Sequence, residues 1–155
     1  MDLDFSKRSR DAILHAHKEA IRSKSLEITV EHLFLGIIKT DDPTRKILLN
    51  LNVDIDEVVK NLSQARPEKK KIRQANLSLS KSTEKMVKIA PFEAKLLRQK
   101  LTEPYHLLLA ILRDPSNDVY LQFEKKGLVE KIKQEIKDGT ESGRLRSGWF
   151  FPKWF

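Results

Sequence analysis

The segment EHLFLGII at residues 31–38 recurs as YHLLLAIL at residues 105–112, and this repetition decides the fold. A shift of 74 positions aligns the two segments without a gap, and the same register continues through the residues that precede them. Two amphipathic helices can share apolar positions by chance, but they rarely share polar ones, so we infer an internal duplication. The identical pairs are Ser6-Lys7 with Ser80-Lys81, Ala16 with Ala90, Glu19-Ala20 with Glu93-Ala94, His32-Leu33 with His106-Leu107, Leu35 with Leu109, and Ile37 with Ile111.

Each copy has the apolar spacing of helices and no alternating pattern typical of strands. In the first copy we expect helices to begin at Ser6 as N-cap, at Thr29 or Val30, at Asp42-Pro43, and after Asp54 as N-cap. In the second copy the corresponding signals are Ser80, Glu103-Pro104, the break at residues 114–116, Gly127 after the third helix, and a last helix at residues 128–136. The predicted fold is all-α, with eight helices as two four-helix repeats related by a pseudo-twofold axis. The repeated apolar residues at positions 33, 35, 37, 107, 109 and 111 are expected in the core.

The predicted domain organisation is a single domain at residues 1–138 followed by a tail at residues 139–155. Repeat one spans residues 5–64, repeat two spans residues 79–137, and a charged linker at residues 65–78 is expected to run over the surface. The tail, GTESGRLRSGWFFPKWF, holds both tryptophans of the chain but has no amphipathic period. A vector remnant, a binding peptide and a docking segment all fit its composition.

The chain has no cysteine, which excludes disulfides and thiol catalysis and is typical of a reducing compartment. No apolar run is long enough to cross a membrane, so we expect a cytoplasmic protein without membrane partners. The net charge of +8 is concentrated at residues 66–73 and in the tail. This distribution favours a solvated basic linker over a nucleic-acid-binding face. The alternative function is that of a stand-alone basic helical protein that binds nucleic acid.

No catalytic, metal-binding or cofactor-binding motif is present. The five glycines form neither a phosphate-binding loop nor a dinucleotide-binding turn, and no serine lies in a nucleophile elbow. His15 and His17 point to different faces of a helix and cannot chelate one metal ion. His32 and His106 occupy equivalent places, where they form either a ligand-facing pair or two structural histidines that cap a helix start. We therefore expect no enzyme activity and no cofactor in this chain.

A capped first helix, the A-x-x-E-A motif that ends at Ala20, and the helix at residues 31–38 resemble the N-terminal domain of Clp-type AAA+ unfoldases. The resemblance covers residues 5–137, includes both repeats, and is strongest to the ClpC branch. It implies a substrate- and adaptor-recognition domain that precedes ATPase modules and works with a protease. Its implied partners are adaptor proteins and unfolded or tagged substrates, and ATP belongs to the parent protein.

The same resemblance implies a site for phosphorylated arginine. In ClpC-like members, a Glu at the start of the second helix and a Thr at the start of the first contact this ligand. Matched position by position, repeat one offers Ser6 and Glu31, whereas repeat two offers Ser80 but has Tyr105 in place of the Glu, unless Glu103 substitutes for it. A carboxylate suits the guanidinium, and hydroxyl and helix-start N–H groups suit the phosphate. The alternative is that both serines are simple N-caps and that Glu31 only complements the helix dipole.

Overall fold

The computed structural model describes residues 4–65 and 77–145, which form eight helices. Residues 66–76, with the basic stretch and most of the predicted linker, lie outside this description, as do residues 146–155 of the predicted tail. The helices are α1 (Lys7–Arg22), α2 (Val30–Thr40), α3 (Asp42–Asn50), α4 (Ile55–Ala65), α5 (Lys81–Leu96), α6 (Pro104–Ile111), α7 (Asp118–Glu124) and α8 (Val129–Glu141). Within the described ranges there is no strand, so the all-α prediction is confirmed.

The predicted N-caps explain where the long helices begin. The Ser6 hydroxyl accepts the N–H of Ser9 at 3.1 Å, and the Ser80 hydroxyl accepts the N–H of Thr83 at the same distance. Each bond satisfies one of the N–H groups that the first turn of a helix leaves unpaired. The third helix begins at Asp42 as expected, and its cap is the preceding residue, Asp41.

Two short bridges show how the repeats are joined, because each connects the start of one repeat to the middle of the other. Phe5 pairs with Thr102, and Ile28 pairs with Leu79. In the first bridge the N–H of Ser6 donates to the Thr102 carbonyl at 3.1 Å. The shift of 74 positions aligns Phe5 with Leu79 and Ile28 with Thr102, so the two bridges join equivalent residues in exchanged repeats. Such an exchange is expected for repeats related by a pseudo-twofold axis. The start of α1 therefore lies beside α6, and the start of α5 lies beside α2.

The core lies between the repeats and contains every apolar residue that the duplication singles out. Leu33, Leu35, Ile37, Leu107, Leu109 and Ile111 are all buried, as predicted. An edge-to-face contact between Phe34 of α2 and Phe123 of α7, with ring centroids 5.8 Å apart, joins the two repeats in this core. The two repeats thus bury one continuous apolar surface between them, as expected of units that stack on each other.

The polar residues shared by the repeats form equivalent ion pairs between helices. Lys39 Nζ of α2 lies 3.0 Å from Glu19 Oε2 of α1, and both carboxyl oxygens of Glu93 in α5 accept hydrogen bonds from the Arg113 guanidinium after α6. Both glutamates are buried, so each needs a cationic partner to compensate for lost hydration. These pairs explain why polar as well as apolar positions match.

A close approach of two backbones explains the glycine at position 36 in α2. A Cβ atom at Gly36 of α2 would lie 2.2 Å from the carbonyl oxygen of Ala12 and 2.9 Å from the amide nitrogen of Ala16, both in α1. Only a residue without a side chain fits such a contact. The corresponding residue of α6 is Ala110, so α5 and α6 do not meet in the same way.

The folded domain extends further than the expected boundary at residue 138. Helix α8 continues to Glu141, and Leu145 is buried after the chain turns back. A Cβ atom at Gly139 would lie only 2.7 Å from the Leu145 side chain, so this glycine makes room for the turn. The Gly/Ser-rich composition of the segment predicts a tail from residue 139, whereas Gly139 lies inside α8 and its small size allows close packing.

Candidate binding cleft

Three helices begin around one cleft of about 250 Å³, which we call the first cleft. The starts of α2, α5 and α7 form it, and the repeats therefore both contribute. Its walls consist of short polar side chains, one valine and two carboxylates: Thr29, Val30, Glu31, Ser80, Ser82, Ser116, Asn117 and Asp118. Helix starts expose N–H groups and carry partial positive charge, which suits an anionic group, whereas the carboxylates suit a cation.

Glu31 and Asp118 are the charged groups of the first cleft. Burial raises the pKa of Glu31, and the neighbouring Asp118 carboxylate raises it further, whereas hydrogen bonds from its own backbone N–H and from Thr29 act in the opposite direction. No lysine or arginine is among the lining residues. Two carboxylates without a cation in the lining make the cleft an acceptor for a positively charged group of a ligand.

The structure brings Glu31 together with Ser80 and places Ser6 elsewhere. The sequence pairing of Ser6 with Glu31 assumed that one repeat forms one site. Because the bridges exchange the starts of the repeats, the start of α5 rather than the start of α1 lies beside the start of α2. Ser6 instead lies beside Thr102, on the other side of the pseudo-twofold axis. Sequence alignment within one repeat cannot reveal this exchange, because it is a property of the packing.

The counterpart of the first cleft, at the starts of α1, α3 and α6, is closed. Tyr105 is fully buried, and its hydroxyl reaches the Leu145 carbonyl and lies 2.9 Å from Gln99 Oε1. Glu103 is also fully buried, and its Oε1 lies 3.2 Å from Arg8 Nη2. Neither residue is therefore presented to a ligand in this conformation, and Glu103 does not act as an exposed substitute for the missing glutamate.

The two equivalent histidines cap helices. His32 Nδ1 accepts the backbone N–H of Thr29 at 3.0 Å, and His106 Nδ1 accepts that of Glu103 at 2.8 Å. Both rings are fully buried, so the structure supports the capping interpretation and not the ligand-facing one. Burial lowers the pKa of His106 to about 3, which keeps this ring neutral.

A second cleft of about 300 Å³ lies between α5, α6 and α8 and has a different character. Its lining combines leucines with cations: Glu93, Leu96, Leu97, Leu109, Arg113, Lys133 and Lys137. The Glu93 carboxylate is already paired with Arg113. The second cleft is larger than the first, but fewer of its lining residues are polar. We therefore regard the first cleft as the candidate site.

Other kinds of site are not formed by the described parts of the chain. In residues 4–65 and 77–145, no three acidic or histidine side chains are grouped as metal ligands. Among the same residues, no helix combines the length and apolar character needed to cross a bilayer.

Comparison with known proteins agrees with this architecture. Residues 4–123 match the model of the Clp repeat N-terminal domain family. The ATP-dependent Clp protease ATP-binding subunit ClpC of Staphylococcus epidermidis is 26% identical over 111 residues, which are 71% of this chain but 14% of that protein. The chain therefore spans only about one seventh of the length of this relative.

Solved structures of similar domains confirm the fold. The Hsp104 N-terminal domain of Candida albicans superposes with a TM-score of 0.72 at 17% identity, covering 85% of this chain and 88% of the other. A ClpV N-domain in complex with a VipB peptide has a TM-score of 0.66 at 18% identity and covers 88% and 89%. The match to the family model extends over most of the chain and includes the first repeat and most of the second. This chain belongs to the Clp repeat N-terminal domain family.

Proposed function

We propose that this domain recognises adaptor proteins and tagged or unfolded substrates for a Clp ATPase, and that it performs no catalysis itself. The observation that carries the proposal is the first cleft, in which polar groups from both repeats converge without an internal cation in the lining. Membership of the family supports a binding role, as does the peptide complex of the ClpV N-domain.

The ligand that best fits the first cleft is a phosphorylated arginine side chain. Its guanidinium would lie against the carboxylates of Glu31 and Asp118, where charge-assisted hydrogen bonds are strong. Its phosphate would lie against the hydroxyl of Ser82 and the first N–H groups of α5. Ser80 stabilises this arrangement because its hydroxyl caps α5 and orients the helix start.

The parent protein is part of the same proposal. We infer that ATPase modules follow this domain, as they do in ClpC, that ATP binds there, and that a protease receives the unfolded substrate. A cytoplasmic location fits the absence of cysteine. Translating the natural reading frame beyond Phe155 tests this inference, since an ATPase module must contain a G-x-x-x-x-G-K-[ST] segment.

Calorimetric titration with a phospho-arginine peptide tests the ligand. We expect one binding site per wild-type chain, and no binding by Glu31→Gln, because the amide keeps the shape but lacks the negative charge and the second acceptor oxygen that a guanidinium pairs with. Glu27→Gln is the matched control, since Glu27 is exposed just before α2 and does not line the cleft. The unphosphorylated peptide measures the contribution of the phosphate. Equal affinity of the wild type and Glu31→Gln would refute this ligand assignment.

A further inference from the structure

The counterpart of the first cleft contains an arginine of the chain itself. Arg8 extends from the first turn of α1, with Nη2 3.2 Å from Glu103 Oε1 and Nη1 3.4 Å from Asp41 Oδ1. We call these three residues the Arg8 cluster. Both carboxylates are fully buried, whereas the Arg8 side chain is 28% exposed. One guanidinium thus lies between two carboxylates, which is the number that the first cleft presents.

The duplication shows which residue distinguishes the two places. The shift of 74 positions aligns Arg8 with Ser82, which is exposed at the rim of the first cleft. Each place is formed by the starts of three helices, α2, α5 and α7 in one case and α6, α1 and α3 in the other. Each also contains two carboxylates, although these come from non-equivalent positions, since the shift aligns Glu103 with Thr29 and Glu31 with Tyr105. Arg8 therefore fills one place, whereas the equivalent Ser82 leaves the other open.

The Arg8 cluster is not a complete ion-pair network. Three of its buried polar atoms have no hydrogen-bond partner among the described residues: Arg8 Nε, Asp41 Oδ1 and Glu103 Oε2. Asp41 Oδ1 keeps only its ion pair with Arg8 Nη1, and the hydroxyl of the neighbouring Thr102 is also without a hydrogen-bond partner among these residues. Two carboxylates face one guanidinium, and burial raises the pKa of Asp41 despite hydrogen bonds from Thr44 and the charge of Arg8. Unsatisfied buried polar groups weaken a fold. A network selected only for stability would have paired these atoms, so the cluster has the character of an occupied binding site.

We propose that the Arg8 cluster is a second guanidinium-binding cleft, which the chain keeps filled with its own arginine. The domain then offers a ligand only one open cleft, and the second is latent. This inference rests on the proposed function for the choice of ligand chemistry. It differs from the proposed function because the guanidinium in the second cleft belongs to the Arg8 side chain and not to a separate ligand.

Removal of the internal guanidinium tests the latent cleft by chemical rescue. Arg8→Ser copies the serine found at the equivalent position, and Glu31→Gln is added so that the first cleft does not contribute. Arg98→Ser in the same Glu31→Gln background is the control, because Arg98 is exposed just after α5 and pairs with none of the buried carboxylates among the described residues. The probe is methylguanidinium at concentrations far below those that denature proteins.

We expect methylguanidinium to raise the melting temperature of the Arg8→Ser chain and to bind it with a stoichiometry of one. The stabilisation should grow with the logarithm of the probe concentration above its dissociation constant. It should recover a measurable part of the loss caused by Arg8→Ser, and methylammonium should recover less because it cannot form two parallel hydrogen bonds. Equal effects of methylguanidinium on the Arg8→Ser and Arg98→Ser chains overturn the proposal, whatever the result for the first cleft.

A measurement on the wild-type chain covers the case in which Arg8→Ser does not fold. Nuclear magnetic resonance of ¹⁵N-labelled arginine side chains reports rotation about the Nε–Cζ bond. We expect slow rotation for Arg8, which is held by two buried carboxylates, and fast rotation for the exposed Arg98. Fast rotation of Arg8 would show that the cluster does not bind its guanidinium and would overturn the proposal. This result is independent of ligand binding at Glu31.

Discussion

The Glu31 carboxylate lies in one cleft with the Ser80 hydroxyl, although the two residues belong to different repeats. Their proximity follows from the bridge between Ile28 and Leu79, which holds the start of α5 beside the start of α2. The candidate site is therefore a product of the association of the repeats. Any change that separates the repeats should remove ligand binding before it melts the individual helices.

Glu31→Gln should stabilise the domain at neutral pH while it removes ligand binding. Because the folded state raises the pKa of Glu31 above its value of 4.5 in the unfolded chain, ionisation of this group costs folding free energy. That cost is absent below pH 4.5 and complete above the raised folded pKa. The variant should thus exceed the wild type in urea midpoint at pH 7, and the difference should disappear below pH 4.5.

A matched substitution separates this effect from a general loss of negative charge. Glu27→Gln removes a charge from an exposed position close in sequence and should leave the urea midpoint nearly unchanged across the same pH range. A Glu31→Gln chain that is less stable than the wild type at pH 7 would show that the carboxylate is a helix-dipole partner and not a strained binding group.

The sequence was sufficient to predict the helices because their signals are local. Ser6, Ser80 and Gly127 mark helix ends through their own hydrogen bonds or backbone geometry, and the structure places them where expected. The buried apolar set followed from the duplication, since a position that is apolar in both copies usually faces the common core. For His32 and His106 the sequence leaves two roles open, ligand contact and helix capping. Burial separates these roles, and the burial of a side chain depends on helices that are distant in sequence.

The composition of the cleft could not be predicted from one repeat. Asp118 enters it from α7, and Ser80 enters it from α5, so that neither residue is close to Glu31 in sequence. Arg8 gave no signal either, because an arginine in the first turn of a helix is ordinarily exposed. Its role became apparent only when Asp41 and Glu103 were found buried on either side of it.

Leu33→Ala and Leu107→Ala should each destabilise the domain by about 2–5 kcal/mol, because both side chains are fully buried and each truncation leaves a cavity. The two losses should be similar, since the residues occupy equivalent positions in α2 and α6. Leu26→Ala is the control, because Leu26 is 60% exposed and should change the free energy of unfolding little. Urea denaturation gives all three values, and an unchanged midpoint for both core variants would contradict the assigned core.

Gly36→Ala should destabilise the domain by about 1–3 kcal/mol, despite the higher helix propensity of alanine. The added methyl group would lie 2.2 Å from the Ala12 carbonyl oxygen, a backbone atom that cannot move without displacing α1. At an exposed helical position the same substitution stabilises a protein by up to about 1 kcal/mol, so the sign of the change tests the contact. Thermal unfolding measures it, and an increase in melting temperature would show that α1 and α2 are further apart than described.

His106 should make the domain acid-sensitive below pH 6.5, and His106→Gln should reduce this sensitivity. The buried ring has a pKa of about 3, against 6.5 in the unfolded chain, so the unfolded state takes up a proton first as pH falls. The stability that depends on the neutral ring is complete above pH 6.5 and declines towards pH 3. Its Nδ1 accepts the Glu103 N–H, and Nε2 has no partner among the described residues, since Leu97 stands where Ser23 contacts His32.

Glutamine at position 106 can still accept the Glu103 N–H, because glutamine is a common residue at this place in a capping box, but it cannot be protonated in this range. The variant should therefore keep the helix start and lose the titration. The slope of unfolding free energy against pH between 6.5 and 4 measures the effect. His15→Gln is the control at a half-exposed position of α1 and should keep the wild-type slope. If His106→Gln and the wild type show the same slope, the proton uptake belongs to other groups and the ring of His106 is not held neutral by burial.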